Sequence, residues 1–182
     1  MSDALTVIPG LACGVDVGGT KISVGVVDAR GKILEEARVV SPAADSGAIE
    51  QAIATLVADL RERHEVTAVG VGAAGFVDRD RATVLFAANL AWRDEPLSVE
   101  LEGRIGLPVI VENDANAAAW GEFAFGAGKD VDDLLLVTVG TGVGGGIVLD
   151  GRLHRGAFGI AAEIGHLAMV PGGVRCGCGN LG

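Results

Sequence analysis

The sequence of 182 residues predicts an α/β protein built from two related halves, and three observations carry that expectation. Short Val/Ile-rich runs alternate with segments in which apolar residues recur every three or four positions, the patterns of strands and of amphipathic helices. A glycine turn, Gly18-Gly19, follows the first strand, and a second one, from Gly140 to Gly146, again interrupts strands in the latter part of the chain. A composition of 49% hydrophobic and 21% charged residues suits a packed core and excludes a disordered or collagen-like chain.

Leu11–Val17, Ile22–Val27 and Ile33–Val40 read as three successive antiparallel strands, broken at Gly18-Gly19 and at Asp28-Ala29-Arg30-Gly31. Behind the cap candidates Asp45 and Ser46, the residues Ile49, Ala52, Ile53, Leu56, Val57 and Leu60 share one face of a helix ending near Arg63. Val66–Ala74 predicts a buried strand, Ala82–Phe86 a short one, Leu97–Arg104 a helix and Pro108–Val111 another strand. An Ala-rich helix from Asn113 to Phe125 follows, then Leu134–Val139, the glycine break and Gly145–Leu149, which begins a second round of strands. Residues 1–112 are thus expected to form an N-terminal domain and residues 113–182 the start of a second. The stretch Gly172–Gly182 has seven glycines or cysteines in eleven residues and no periodicity, so the chain ends in a loop, where a domain rarely stops.

Charge and composition narrow the function classes. A formal charge of −10, with no cluster of Lys or Arg longer than a pair, leaves no surface for nucleic-acid phosphates. The first fifteen residues carry Asp3 and no base, the wrong pattern for a secretory signal, so a cytoplasmic protein is expected. The longest uncharged run, Leu134 to Leu149, has 16 residues and five glycines, short of the roughly 18 to 20 apolar residues of a membrane-spanning helix. Three cysteines do not suit a disulfide framework, and Cys176 and Cys178 look like half of a metal site.

Several segments could carry chemistry. Asp16-Val17-Gly18-Gly19-Thr20-Lys21 places an acid at a strand end and two glycines, a hydroxyl and an ammonium in the turn after it, which reads either as a plain hairpin or as a phosphate-binding turn. Lys follows Thr and a strand comes next, so it is not a Walker A loop. Gly140-Thr141-Gly142-Val143-Gly144-Gly145-Gly146 has more glycines than a hairpin needs, and the two turns could act as jaws around a polyphosphate. Both this run and Gly70–Gly75 satisfy G-x-G-x-x-G, yet neither opens a helix, so a nicotinamide oxidoreductase is disfavoured. In Glu112-Asn113-Asp114-Ala115-Asn116, Asn113 or Asp114 is a helix cap, or Asp114 is a carboxylate poised as a general base. His166, ten residues before Cys176-Gly177-Cys178, adds one imidazole to two soft sulfur ligands, a set zinc prefers, one short of a closed tetrahedral site. His64 and His154 read as solvated and Cys13 as a small core residue.

Taken in order, these segments resemble the ROK family (repressors, open reading frames, kinases) of the actin and hexokinase superfamily, most closely its bacterial glucokinases. The resemblance rests on Asp16–Lys21, Gly75-Phe76-Val77-Asp78, Asn89-Leu90-Ala91-Trp92, Glu112–Asn116, Gly140–Gly146, Glu163-Ile164-Gly165-His166 and Cys176–Gly182. It implies an actin/hexokinase-like (ribonuclease H-like) ATPase fold and ATP-dependent phosphorylation of the 6-hydroxyl of a hexose, glucose above all. Asp114 would be the catalytic base; Gly75, Asn89, Asn113, Asp114, Glu163 and His166 would bind the sugar. Gly18, Gly19, Thr20, Lys21, Thr141 and Gly142 would cradle the phosphates of ATP, with Asp16 orienting Mg²⁺. His166, Cys176 and Cys178 would hold a structural Zn²⁺, and the family's zinc motif continues past Gly182. The chain thus looks like the N-terminal portion of a longer sugar kinase, inactive alone and homo-oligomeric at full length. The family also contains sugar-sensing regulators and kinases for other hexoses such as fructose or N-acetylmannosamine. A DNA reader has no room in the dozen residues before Cys13, which include Pro9-Gly10.

Overall fold

The structure, a computed structural model, describes residues 10–140 and 142–182. A five-stranded sheet has the order β3-β2-β1-β4-β8, formed by β1 (Leu11–Val17), β2 (Lys21–Val27), β3 (Ile33–Val40), β4 (Val66–Ala73) and β8 (Val109–Asn113). The first three strands run antiparallel, as expected, while β4 lies parallel to β1 and β8 parallel to β4. Two smaller antiparallel sheets accompany it. One joins β5 (Phe76–Val77), β6 (Val84–Phe86) and β7 (Arg93–Glu95); the other joins β9 (Leu134–Val139), β10 (Val143–Leu149) and β11 (Arg152–Leu153). Among the described residues no helix is long and apolar enough to cross a membrane.

Helix α1 (Ser46–Arg61) presents Ile49, Ile53, Val57 and Leu60, all fully buried, to the sheet. Its start is set by Asp45, whose carboxylate accepts the Ala48 N–H at 3.0 Å. Asp45→Ala therefore costs about 1 kcal/mol, the usual value of a lost cap, read as a lower urea midpoint with an unchanged slope. Helix α2 (Leu97–Ile105) packs beside α1 and ends at Gly106, which adopts the left-handed conformation (φ 71°) of a helix terminus. Trp92, Leu97 and Leu101 fill the space beneath with no exposure. Cys13 is buried, and burial pushes its thiol up to about 11, as befits a small core residue.

Helix α3 (Asp114–Phe125) lies between the large sheet and the β9–β10 hairpin, where strand glycines let it approach closely. A Cβ added to Gly146 would stand 2.5 Å from the Ala119 Cβ and 2.9 Å from the Ala115 carbonyl, and one on Gly144 3.0 Å from the Ala115 Cβ. The glycine run is therefore not all loop: the strand begins at Val143, two residues before the expected Gly145, and Gly144, Gly145 and Gly146 are packing positions within it. His64 also departs from expectation. It is not a solvated side chain, because its Nε2 stands 2.7 Å from Glu35 Oε2 and its ring is only 19% exposed.

Candidate active site

Register fixes the frame of the site. Val17, Ala73 and Asn113 are aligned across β1, β4 and β8, so the carboxyl ends of three parallel neighbours open on one edge of the sheet. Outside such an edge is where α/β proteins bind their ligands. Asp16, Gly75, Asn113 and Asp114 all converge there.

After β1, the Gly18 N–H donates to the Lys21 carbonyl at 3.0 Å and closes a tight turn. Gly19 has no room for a side chain, since a Cβ would stand 3.1 Å from both the Cβ and the carbonyl oxygen of Asn89. This close approach brings the expected phosphate turn against the expected sugar segment. Thr20 and Lys21 are exposed, and their side chains form no hydrogen bond to another described residue. Of the second glycine turn, Gly140 donates to the Gly142 carbonyl at 2.9 Å, and a Cβ on Gly142 would meet nothing within 4 Å. Thr141 lies outside the described residues.

The cap of α3 is Asn113, whose Oδ1 accepts the Asn116 N–H at 2.9 Å. Asn113, not Asp114, is therefore the cap. Asn113 Nδ2 donates to the Gly75 carbonyl and to Asp114 Oδ1, both at 3.1 Å, and the Ala115 N–H donates to the same oxygen at 2.9 Å. These bonds hold the carboxylate in one orientation. Desolvation by the surrounding protein pushes the Asp114 carboxyl above its ordinary value, and the charge of Asp16 adds to the rise, outweighing the donor bonds. A carboxylate made more basic in this way is suited to accepting a proton.

Glu163 faces this group across the site. Gly145 permits it, because a Cβ there would stand 2.5 Å from the Ala162 carbonyl, so residues 162–164 lie directly on β10. Desolvation raises the Glu163 carboxyl and the charge of Asp114 raises it further, against the pull of His166. His166, in a single 3-10 turn (Ile164–His166), stands 3.7 Å from Glu163 and meets the Phe76 ring edge-on at 5.6 Å between centroids. The ligand atoms of His166, Cys176 and Cys178 all lie within 4.8 Å of one another. The loop carrying the thiols is a formed turn, tied by Cys176 N–H to the Asn180 carbonyl at 2.8 Å. The backbone N–H of Cys178 holds the Cys176 thiol below its ordinary value.

Sequence alone assigns no separate role to Glu112, Arg155 or Phe76. Strand alternation places Glu112 on the face of the half-exposed Ile110, yet it is 8% exposed and paired with Arg155. Only a charged residue closing an otherwise apolar strand signalled it.

Comparison with known proteins decides the family: residues 12–182 match that of ROK proteins. The chain belongs to the ROK family. Glucokinase of Streptomyces coelicolor is 56% identical over 173 residues, which cover 95% of this chain and 54% of that protein. The structure matches a ROK family glucokinase from Streptomyces griseus, crystallised with glucose and AMPPNP, at a TM-score of 0.91 and 57% identity, over 95% of this chain and 55% of that one. A ROK hexokinase from Thermus thermophilus matches at a TM-score of 0.80 and 38% identity, over 94% of this chain and 58% of that one. This ROK chain thus has the actin/hexokinase-like fold and spans about half the length of the glucokinases it matches.

Proposed function

We propose that this chain supplies the catalytic edge of an ATP-dependent hexokinase that phosphorylates the 6-hydroxyl of glucose. The observation that carries the reading is Asp114: a fixed carboxylate of raised pKa, freed from capping by Asn113 and flanked by Asp16 and Glu163. The acceptor hydroxyl gives its proton to Asp114, and its oxygen bonds to the γ-phosphorus as the bond to the departing ADP oxygen breaks. Asn89, Asn113, Glu163 and His166 bind the other sugar hydroxyls beside the Gly75 carbonyl, convergent polar groups being what separates one hexose from another. Backbone donors of Gly19, Thr141 and Gly142 hold the phosphates, with Thr20 and Lys21 reaching from the first turn, which the Gly18 N–H closes onto the Lys21 carbonyl. The exposed carboxylate of Asp16, a hard oxygen donor at the end of β1, would hold Mg²⁺, which neutralises phosphate charge. The complex of the Streptomyces griseus enzyme with glucose and an ATP analogue supports the choice of sugar and donor.

The cluster of His166, Cys176 and Cys178 fits Zn²⁺, since two cysteine sulfurs and an imidazole converge within the spread of a tetrahedral ligand set. Bound there, zinc would fix His166 beside Glu163 and leave its other ring nitrogen to the sugar. Cys178→Ser in the full-length protein is expected to lose most of its zinc on dialysis against a mild chelator, while wild type stays near stoichiometric by metal analysis. Equal retention in the two would remove Cys178 from the site. The reading as a whole is tested by coupled ADP release from the full-length protein over a panel of glucose, mannose, fructose and N-acetylmannosamine. Glucose should be turned over with the highest kcat/KM; a preference for another hexose would reassign the substrate, and no hexose-dependent release would overturn the kinase.

A further inference from the structure

Glu112 is buried beside the proposed base, yet no step of the chemistry above uses it. Both of its oxygens are engaged. Oε1 accepts the backbone N–H of Asn113 at 3.0 Å and Asn116 Nδ2 at 3.2 Å. Oε2 accepts Arg155 Nε at 2.7 Å and lies 3.4 Å from Arg81 Nε.

These partners arrive from three separate parts of the fold. Asn113 and Asn116 are the cap and first turn of α3, which carries Asp114. Arg81 belongs to the β5–β6 turn, and its carbonyl also accepts the Val111 N–H at 2.9 Å, tying that turn to β8. Arg155 lies beyond β11, and its carbonyl accepts the Ala161 N–H at 3.1 Å, two residues before Glu163. One buried carboxylate therefore touches the segment bearing the base and the segment leading to Glu163 and His166. A buried ion pair contributes little net stability once desolvation is counted, but it holds its members in one geometry. Misplacement by about 1 Å can cost on the order of a hundredfold in rate.

We propose that Glu112 is a positioning residue that, through Arg155, locks the Asn113-Asp114 and Glu163–His166 segments in the relation the acceptor hydroxyl requires. The inference rests on the kinase reading. Its test uses the full-length protein and the variants Glu112→Gln, Arg155→Met, Arg155→Lys and the double variant Glu112→Gln/Arg155→Met, with kcat expressed per folded molecule and thermal unfolding followed in parallel. Glu112→Gln presents an amide donor to Arg155 and should lower kcat about tenfold to a hundredfold, as should Arg155→Met, with the KM for ATP within about twofold, because the phosphate turns do not touch the pair. Arg155→Lys should recover most of kcat by restoring the charge. The double variant should be no worse than the poorer single one, as expected for two members of one unit.

Folded Glu112→Gln and Arg155→Met variants with kcat within about twofold of wild type would overturn the proposal, as would additive losses that lysine fails to rescue. If Glu112→Gln does not fold, the Arg155→Met and Arg155→Lys comparison decides alone. A wild-type protein without hexose-dependent ADP release overturns the kinase reading and this inference together, whereas an active wild type with unaffected variants overturns only the role of Glu112.

Discussion

Asp114→Asn in the full-length protein is expected to lower kcat by about 10² or more while leaving glucose affinity within several-fold, because the amide keeps the shape of the carboxylate and cannot take the proton. Stability should barely change: the cap of α3 is Asn113, and the Ala115 N–H retains an oxygen acceptor. The pH dependence has a definite sign. Asp114 works ionised, and burial raises its pKa, so activity should fall with acidification at a higher pH than an ordinary carboxylate would give. That acid limb should be absent from the residual activity of Asp114→Asn. Steady-state kinetics from about pH 4 to pH 8, with glucose binding followed by tryptophan fluorescence, measure both effects.

Two glycines of one run are expected to respond in opposite ways. A Cβ at Gly142 meets open space, so Gly142→Val should fold with unchanged stability. It should raise the KM for ATP and depress kcat with little effect on sugar binding, by obstructing the N–H groups that face the phosphates. At Gly146 the added methyl collides with α3, at Ala119 and at the Ala115 carbonyl. Gly146→Ala should therefore cost about 1 to 3 kcal/mol of stability and leave the KM for ATP of the folded fraction unchanged. Denaturation curves and ATP saturation curves on the same two preparations separate a ligand-facing glycine from a packing one. Unaltered ATP kinetics in folded Gly142→Val would reduce the second turn to a simple hairpin.

The contrast between these glycines marks how far the sequence was legible. Strong local periodicity made β1, β2, β3 and α1 readable to within a few residues, down to the Asp45 cap. Pairings of two or three residues, as in β5, β7 and β11, have no period of their own and form because a partner strand is near. Composition alone could not divide Gly140–Gly146 into an open turn and a packed strand, since the dividing agent is α3, which docks on Gly144 and Gly146. The resemblance named the site residues, but the contacts joining them needed the fold: Gly19 against Asn89, the Gly75 carbonyl bonded to Asn113, and Asp16 and Glu163 within the field of Asp114. Charge pairs distant in sequence were least visible. His64 lies 29 residues from Glu35 and Glu112 lies 43 residues from Arg155, separations at which no local pattern connects two side chains.

The proposed reaction at this edge is transfer of a γ-phosphoryl group to the 6-hydroxyl of glucose. Phosphorus NMR of the full-length protein with ATP, Mg²⁺ and glucose tests it most directly, with 6-deoxyglucose as the control sugar. One new phosphomonoester is expected, coupled to the C6 protons of glucose and formed mole for mole with ADP, and no product from 6-deoxyglucose. A phosphomonoester at another carbon, turnover of 6-deoxyglucose, or ADP formed at the same rate without sugar would contradict it.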